Sequence, residues 1–194
     1  HARFAIARLA ADGVITLGPV STLRTADHAS LEHAWAAFRD SQGGALPPAA
    51  SIAVAATLTT AEPVIRFTNN PWELRPALLG EQLGAPRCML VNDFEAVAHA
   101  VARAGEQDFV HLAGPDVPLA PEGRISVIGP GTGLGAAHLL RTDIEVQVQP
   151  TEGGHIDFAP LDDFEDRLLA RLRARHGRVS VERVVAGPGI ADIY

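Results

Sequence analysis

Apolar and polar positions along this chain follow two alternating periods, and the switches between them mark its elements. Residues 3–9 and 14–23 repeat with a period of two on either side of Ala11-Asp12-Gly13, which predicts an antiparallel hairpin. The period then lengthens: Leu31, Ala34, Trp35 and Phe38 share one helical face, and Gly43 and Gly44 supply a stop. After a Pro-containing connector, residues 51–57 read as a buried strand and 64–70 as another. Residues 71–84 read as a helix carrying an internal Pro76. Residues 87–93 form a strand, and 94–105 a helix.

A Gly/Pro-rich stretch at 112–123 interrupts the pattern, which starts again with a strand at 124–129 and a glycine loop. Strands at 135–140 and 145–150, a helix at 162–176 and a helix start near Glu182 complete it. Strand hairpins precede helices in both halves. The expected architecture is two α/β domains, 1–107 and 108–194, with a cleft between them where ligands bind.

Composition narrows the chemistry. The 194 residues are 47% hydrophobic and carry net charge −7, which fits a soluble globular protein and argues against nucleic acid as the main partner. No apolar run reaches the ~18 residues of a membrane span. The opening residues look like a strand already under way, not a signal peptide, so a cytoplasmic location is expected. The single cysteine, Cys88, supports no internal disulfide and no Cys-based zinc site, and reads as a small core residue. All 16 basic side chains other than histidine are arginine. The G-x-x-x-x-G-K-[ST] phosphate loop, which needs its lysine, is thereby excluded.

The glycine loop is the sharpest feature. Glycines occupy every second position from Gly129 to Gly135, and from Gly131 onward the run satisfies G-x-G-x-x-G/A. A dinucleotide site needs a helix next, with its N-terminus facing the pyrophosphate. Residues 136–149 are short and strand-like, so that reading fails on context. Two readings stay open: a hairpin nest whose backbone N–H groups and Thr132 hydroxyl cradle phosphate, or a tight structural turn.

Two further stretches carry polar chemistry. Asn92 and Asp93 fall at a strand end that opens a helix. They are either a helix cap, with Glu95 completing a capping box, or a carboxylate aimed into the cleft to deprotonate a hydroxyl. Glu152 and His155 flank Gly153-Gly154, so one turn aims both at a common point. Such a pair suits a polyol ligand, because Glu accepts hydroxyl hydrogen bonds and His both donates and accepts. A metal site of Glu152, His155 and Asp157 is disfavoured by its single histidine. Glu182 at a helix start is otherwise simply favourable to the helix dipole.

In order along the chain, "ARFAIARL", "FTNNPWEL", "LVNDFEAVAHAV", "GPGTGLGAAHL", "EGGHIDFAP" and "VSVERVVAGPGI" resemble successive motifs of the bacterial glucokinases, members of the hexokinase superfamily. The resemblance covers essentially the whole chain. It implies the actin-like ATPase fold, related to ribonuclease H, with two lobes, hairpin phosphate loops and an incomplete second lobe. It implies ATP-dependent phosphorylation of glucose to glucose 6-phosphate, the entry step of glycolysis, with Mg²⁺ on the nucleotide and a homodimeric enzyme. Asp93 would be the catalytic base toward the sugar 6-hydroxyl. Asn92, Glu152, His155 and Glu182 would bind the other hydroxyls, and Gly131, Thr132 and Gly133 would face ATP.

Related kinases with a cysteine-rich zinc motif are disfavoured, since Cys88 stands alone. The alternative is a non-catalytic sugar-binding or regulatory relative on the same fold. It is disfavoured because Asp93 occupies the base position and no basic helix-turn-helix segment is evident. Two departures from the family pattern stand out. Thr57 takes the place of the usual proline, and the expected glycine soon after it is missing. The family's first phosphate loop would precede His1 and its adenine-binding part would follow Tyr194. The chain is therefore expected to be a piece of a longer protein, and inactive alone.

Overall fold

The computed structural model describes residues 1–56, 58, 63–67 and 70–194. The departure at Thr57 lies outside the described residues. The chain divides into two compact units, His1–Asp93 and Phe94–Tyr194, each with mixed α and β structure.

The first unit opens on the expected hairpin, but each arm is broken in two. Strands β1 (Ala2–Phe4), β2 (Ala7–Leu9), β3 (Ile15–Leu17) and β4 (Ser21–Leu23) pair antiparallel as β2 with β3 and β1 with β4. Helix α1 (Leu31–Ser41) follows, its first turn capped by Ser30, whose Oγ accepts from the His33 N–H. Its apolar face buries Leu31, Ala34 and Phe38, and the Phe38 ring stacks on Phe4 with centroids 5.2 Å apart.

Strand β5 (Ala49–Val54) then pairs parallel with β8 (Arg87–Asn92), and the crossover between them contains β6 (Ile65–Phe67), β7 (Asn70–Leu74) and α2 (Pro76–Gln82). Here the structure corrects the expected helix over 71–84. Residues 70–74 are the second strand of an antiparallel pair, with Trp72 and Leu74 buried and Glu73 exposed. Pro76 explains the difference. It does not interrupt a helix but starts one, at a position where its missing N–H costs nothing. The residue before a proline is driven out of the α region, and Arg75 is extended, with φ −112 and ψ 95. The core of this unit gathers Phe4, Phe38, Trp72, Leu74 and Leu79 around α1, and Cys88 packs against its rim.

The second unit begins with α3 (Asp93–Arg103), a helix that starts at the residue where the first unit ends. An antiparallel sheet of order β11-β10-β9 follows, from β9 (Gly123–Pro130), β10 (Leu134–Arg141) and β11 (Val146–Thr151). Val127 and Ala137 of that sheet pack with Ala98 of α3, and Phe94 lies against the same cluster. Helix α4 (Asp163–His176) is capped by the Asp162 carboxylate, which accepts from the Glu165 N–H. It ends at Gly177, whose φ of +74 only glycine adopts readily. The short helices α5 (Glu182–Val185) and α6 (Gly187–Ile193) close the chain. No helix among the described residues is long and apolar enough to cross a membrane.

Candidate active site

The glycine loop is the turn of the β9–β10 hairpin, with no helix after it. None of its four glycines has a positive φ, so what lies against each, and not backbone conformation, distinguishes them. What approaches differs from one to the next. Gly129 and Gly135 are direct cross-strand partners, and the Phe94 ring lies across both. A Cβ on Gly129 would stand 2.6 Å from Phe94 Cζ, and one on Gly135 would overlap ring carbons Cδ2 and Cε2. Gly133 leaves room for a carboxylate, since its Cβ would meet Glu182 Oε2 at 2.7 Å. Only at Gly131, of the four, would a Cβ meet nothing within 4 Å.

Backbone groups in the turn divide in the same way. The Gly131 N–H donates to the Gly133 carbonyl at 2.8 Å, and the Leu134 N–H donates to Glu182 Oε2 at 2.8 Å. The N–H groups of Thr132 and Gly133, between them, donate to no protein acceptor among the described residues. Thr132 is exposed.

Glu152, His155 and Glu182 come together in the second unit. Glu152 precedes a single 3-10 turn, Gly153–His155, in which the His155 N–H donates to the Glu152 carbonyl at 2.9 Å. A side chain at Gly154 would strike the Leu134 backbone, so this Gly-Gly pair lets the turn lie against β10. The 155–158 segment is then laced to 178–181: Arg178 donates to the His155 carbonyl at 2.6 Å and to Asp157 Oδ1 at 2.7 Å. The Val181 N–H donates to the Ile156 carbonyl at 2.9 Å, which brings Glu182 beside His155. His155 Nε2 lies 3.6 Å from Glu152 Oε2, and its Nδ1 lies 4.0 Å from Glu182 Oε1. Side-chain exposure falls from 59% at Glu152 and 54% at His155 to 26% at Glu182. Asp157 is turned to Arg178, and no group of three His, Cys, Asp or Glu among the described residues is arranged to hold a metal.

Asn92 and Asp93 lie in the first unit. Asn92 ends β8 and its side-chain amide donates to the Ala56 carbonyl at 3.1 Å, while Asp93 is the first residue of α3. Sequence reasoning assigned Glu182 to the sugar and missed its bond to Leu134. It also missed Phe94, whose signal was present as an aromatic directly after Asp93 and two glycines of matching parity.

Comparison with known proteins gives the family. The family model described as "Glucokinase" matches residues 1–194. A glucokinase of Zymomonas mobilis subsp. mobilis is 53% identical over the whole chain, and one of Chromohalobacter salexigens 39%. The chain spans 59% of the length of each. Among solved structures, the glucokinase from an Antarctic psychrotroph superposes with TM-score 0.79 at 33% identity, over 97% of this chain and 58% of that one. The glucokinase from Balamuthia mandrillaris in complex with glucose, 23% identical, gives TM-score 0.69 over 97% of this chain and 57% of its own, and shares the fold. With the family match running from the first residue to the last, this chain belongs to the glucokinase family.

Proposed function

We propose that the full-length protein transfers the γ-phosphoryl group of ATP to the 6-hydroxyl of glucose, on a two-lobed actin-like ATPase scaffold. The observation that carries the reading is the line of Glu152, His155 and Glu182 ending on the glycine hairpin, which sets polyol acceptors beside the Gly131–Gly133 turn. Two carboxylates and an imidazole bind hydroxyls by accepting and donating together. The Thr132 and Gly133 N–H groups and the Thr132 hydroxyl are the donors for phosphate oxygens, and the bare Gly131 lets the nucleotide approach.

Asp93 takes the proton of the attacking hydroxyl, and Asn92, held by the Ala56 carbonyl, orients the sugar at the same strand end. Phosphoryl transfer depends mainly on positioning and charge stabilisation, which these groups provide. Residues 129–135 contain no cationic side chain. A Mg²⁺ ion on the triphosphate would supply the missing neutralisation. We place the enzyme in the cytoplasm as a homodimer serving glycolysis. A coupled assay of the full-length protein against several hexoses, with ATP, ADP and polyphosphate as donors, tests the reading. Glucose with ATP is the expected pair, and no hexose phosphate with any donor overturns it.

A further inference from the structure

We propose, on the kinase reading above, that Glu182 is a positioning residue that couples sugar to nucleotide by holding the glycine loop with one carboxylate oxygen and facing the sugar site with the other. All the groups involved lie within the Phe94–Tyr194 unit. Oε2 accepts the Leu134 N–H at 2.8 Å, and Oε1 faces His155 Nδ1 at 4.0 Å. The Gly187 N–H donates to the Gly131 carbonyl at 2.8 Å, so the segment carrying Glu182 grips the turn on both sides of Thr132 and Gly133. Both contacts are close ones: a Cβ on Gly133 would lie 2.7 Å from Glu182 Oε2 and push that carboxylate aside, and one on Gly187 would lie a tight 3.1 Å from the Gly131 carbonyl oxygen.

The consequence is a thermodynamic link. Hydroxyls bound at Glu182 and His155 restrict the carboxylate, the carboxylate fixes the Leu134 N–H, and the turn presenting Thr132 and Gly133 is held in place. Linkage requires the effect to be reciprocal, so nucleotide must tighten sugar by the same factor that sugar tightens nucleotide.

The test uses the full-length protein, glucose and a non-hydrolysable ATP analogue, with affinities measured by calorimetry and Leu134 amide exchange followed by mass spectrometry. In the unsubstituted protein, saturating glucose should tighten the analogue several-fold. Glu182→Ala should abolish that coupling, weaken the analogue about ten-fold even without glucose, and expose the Leu134 amide to exchange. Glu182→Gln keeps an oxygen for the Leu134 N–H but replaces the second acceptor with a donor. It should weaken glucose while retaining Leu134 protection and analogue affinity. Gly133→Ala displaces the carboxylate without removing it, and should weaken glucose binding measured with no nucleotide present. If Glu182→Ala weakens glucose alone, with analogue affinity and Leu134 exchange as in the unsubstituted protein, the coupling role is overturned. Equal Leu134 exchange in the Gln and Ala variants overturns it as well, and this readout needs no turnover. Failure of the unsubstituted protein to phosphorylate any hexose counts against the kinase reading alone.

Discussion

Replacing Gly135 with alanine should cost far more than the same change at Gly131, although the two sit four residues apart in one loop. At Gly135 the new methyl occupies the space of the Phe94 ring, which packs against the cluster of Ala98, Val127 and Ala137. The ring must leave that cluster or the hairpin must open. Overpacking of this kind costs about 1–3 kcal/mol, and the overlap of two ring carbons puts Gly135 at the upper end. At Gly131 the methyl meets nothing within 4 Å and φ is not positive, so no packing or conformational term opposes it. There the change should be neutral or stabilising by up to about 1 kcal/mol, through the reduced entropy of the unfolded chain. Its cost appears instead in a raised KM for ATP. Amide exchange across residues 123–141 of the full-length protein reads the local effect, and ATP kinetics read the functional one. Phe94→Leu should recover part of the Gly135→Ala loss, with a coupling of about 0.5–3 kcal/mol in a double-mutant cycle. Equal loss of protection in the two alanine variants, or an unchanged hairpin in Gly135→Ala, would refute the argument.

Asp93→Asn should leave glucose affinity in place and reduce kcat by about 10²–10⁴-fold, as loss of a general base does; turnover near the original rate removes that role. Phe38→Ala should destabilise by about 3–5 kcal/mol, since the ring is buried and stacked on Phe4, and a denaturation midpoint within experimental error of the original would contradict that packing. Burial pushes the Cys88 thiol above its ordinary pKa, so its thiolate fraction at neutral pH is lower than that of a free cysteine. Alkylation should therefore be slow at pH 7 and accelerate at a higher pH than for a small thiol; a rate matching free cysteine there would show that the side chain is not shielded.

Much of this was legible in the sequence where one local signal decided the outcome. The helical spacing of Leu31, Ala34 and Phe38 gave α1, and the alternation after Gly135 gave strands and removed the dinucleotide reading. The signal failed at Pro76, where both a kinked helix and a helix start fit the composition. The buried pair Trp72 and Leu74, which decides for a strand, is visible only once the β6–β7 pairing exists.

The glycine loop shows the same limit in sharper form. Four glycines at even spacing look equivalent in sequence, because what distinguishes them comes from elsewhere in the chain. Phe94 sits against Gly129 and Gly135, Glu182 against Gly133, and open space against Gly131. Three of the four are glycine because the protein itself fills the space. Gly131 meets open space, and only on the proposed kinase reading does that space belong to nucleotide. A motif count therefore overstates how much of such a loop answers to ligand. Alanine at Gly129 should accordingly group with Gly135, losing hairpin protection, while alanine at Gly133 should disturb Glu182. Only the Gly131 variant should keep the fold and report on nucleotide alone.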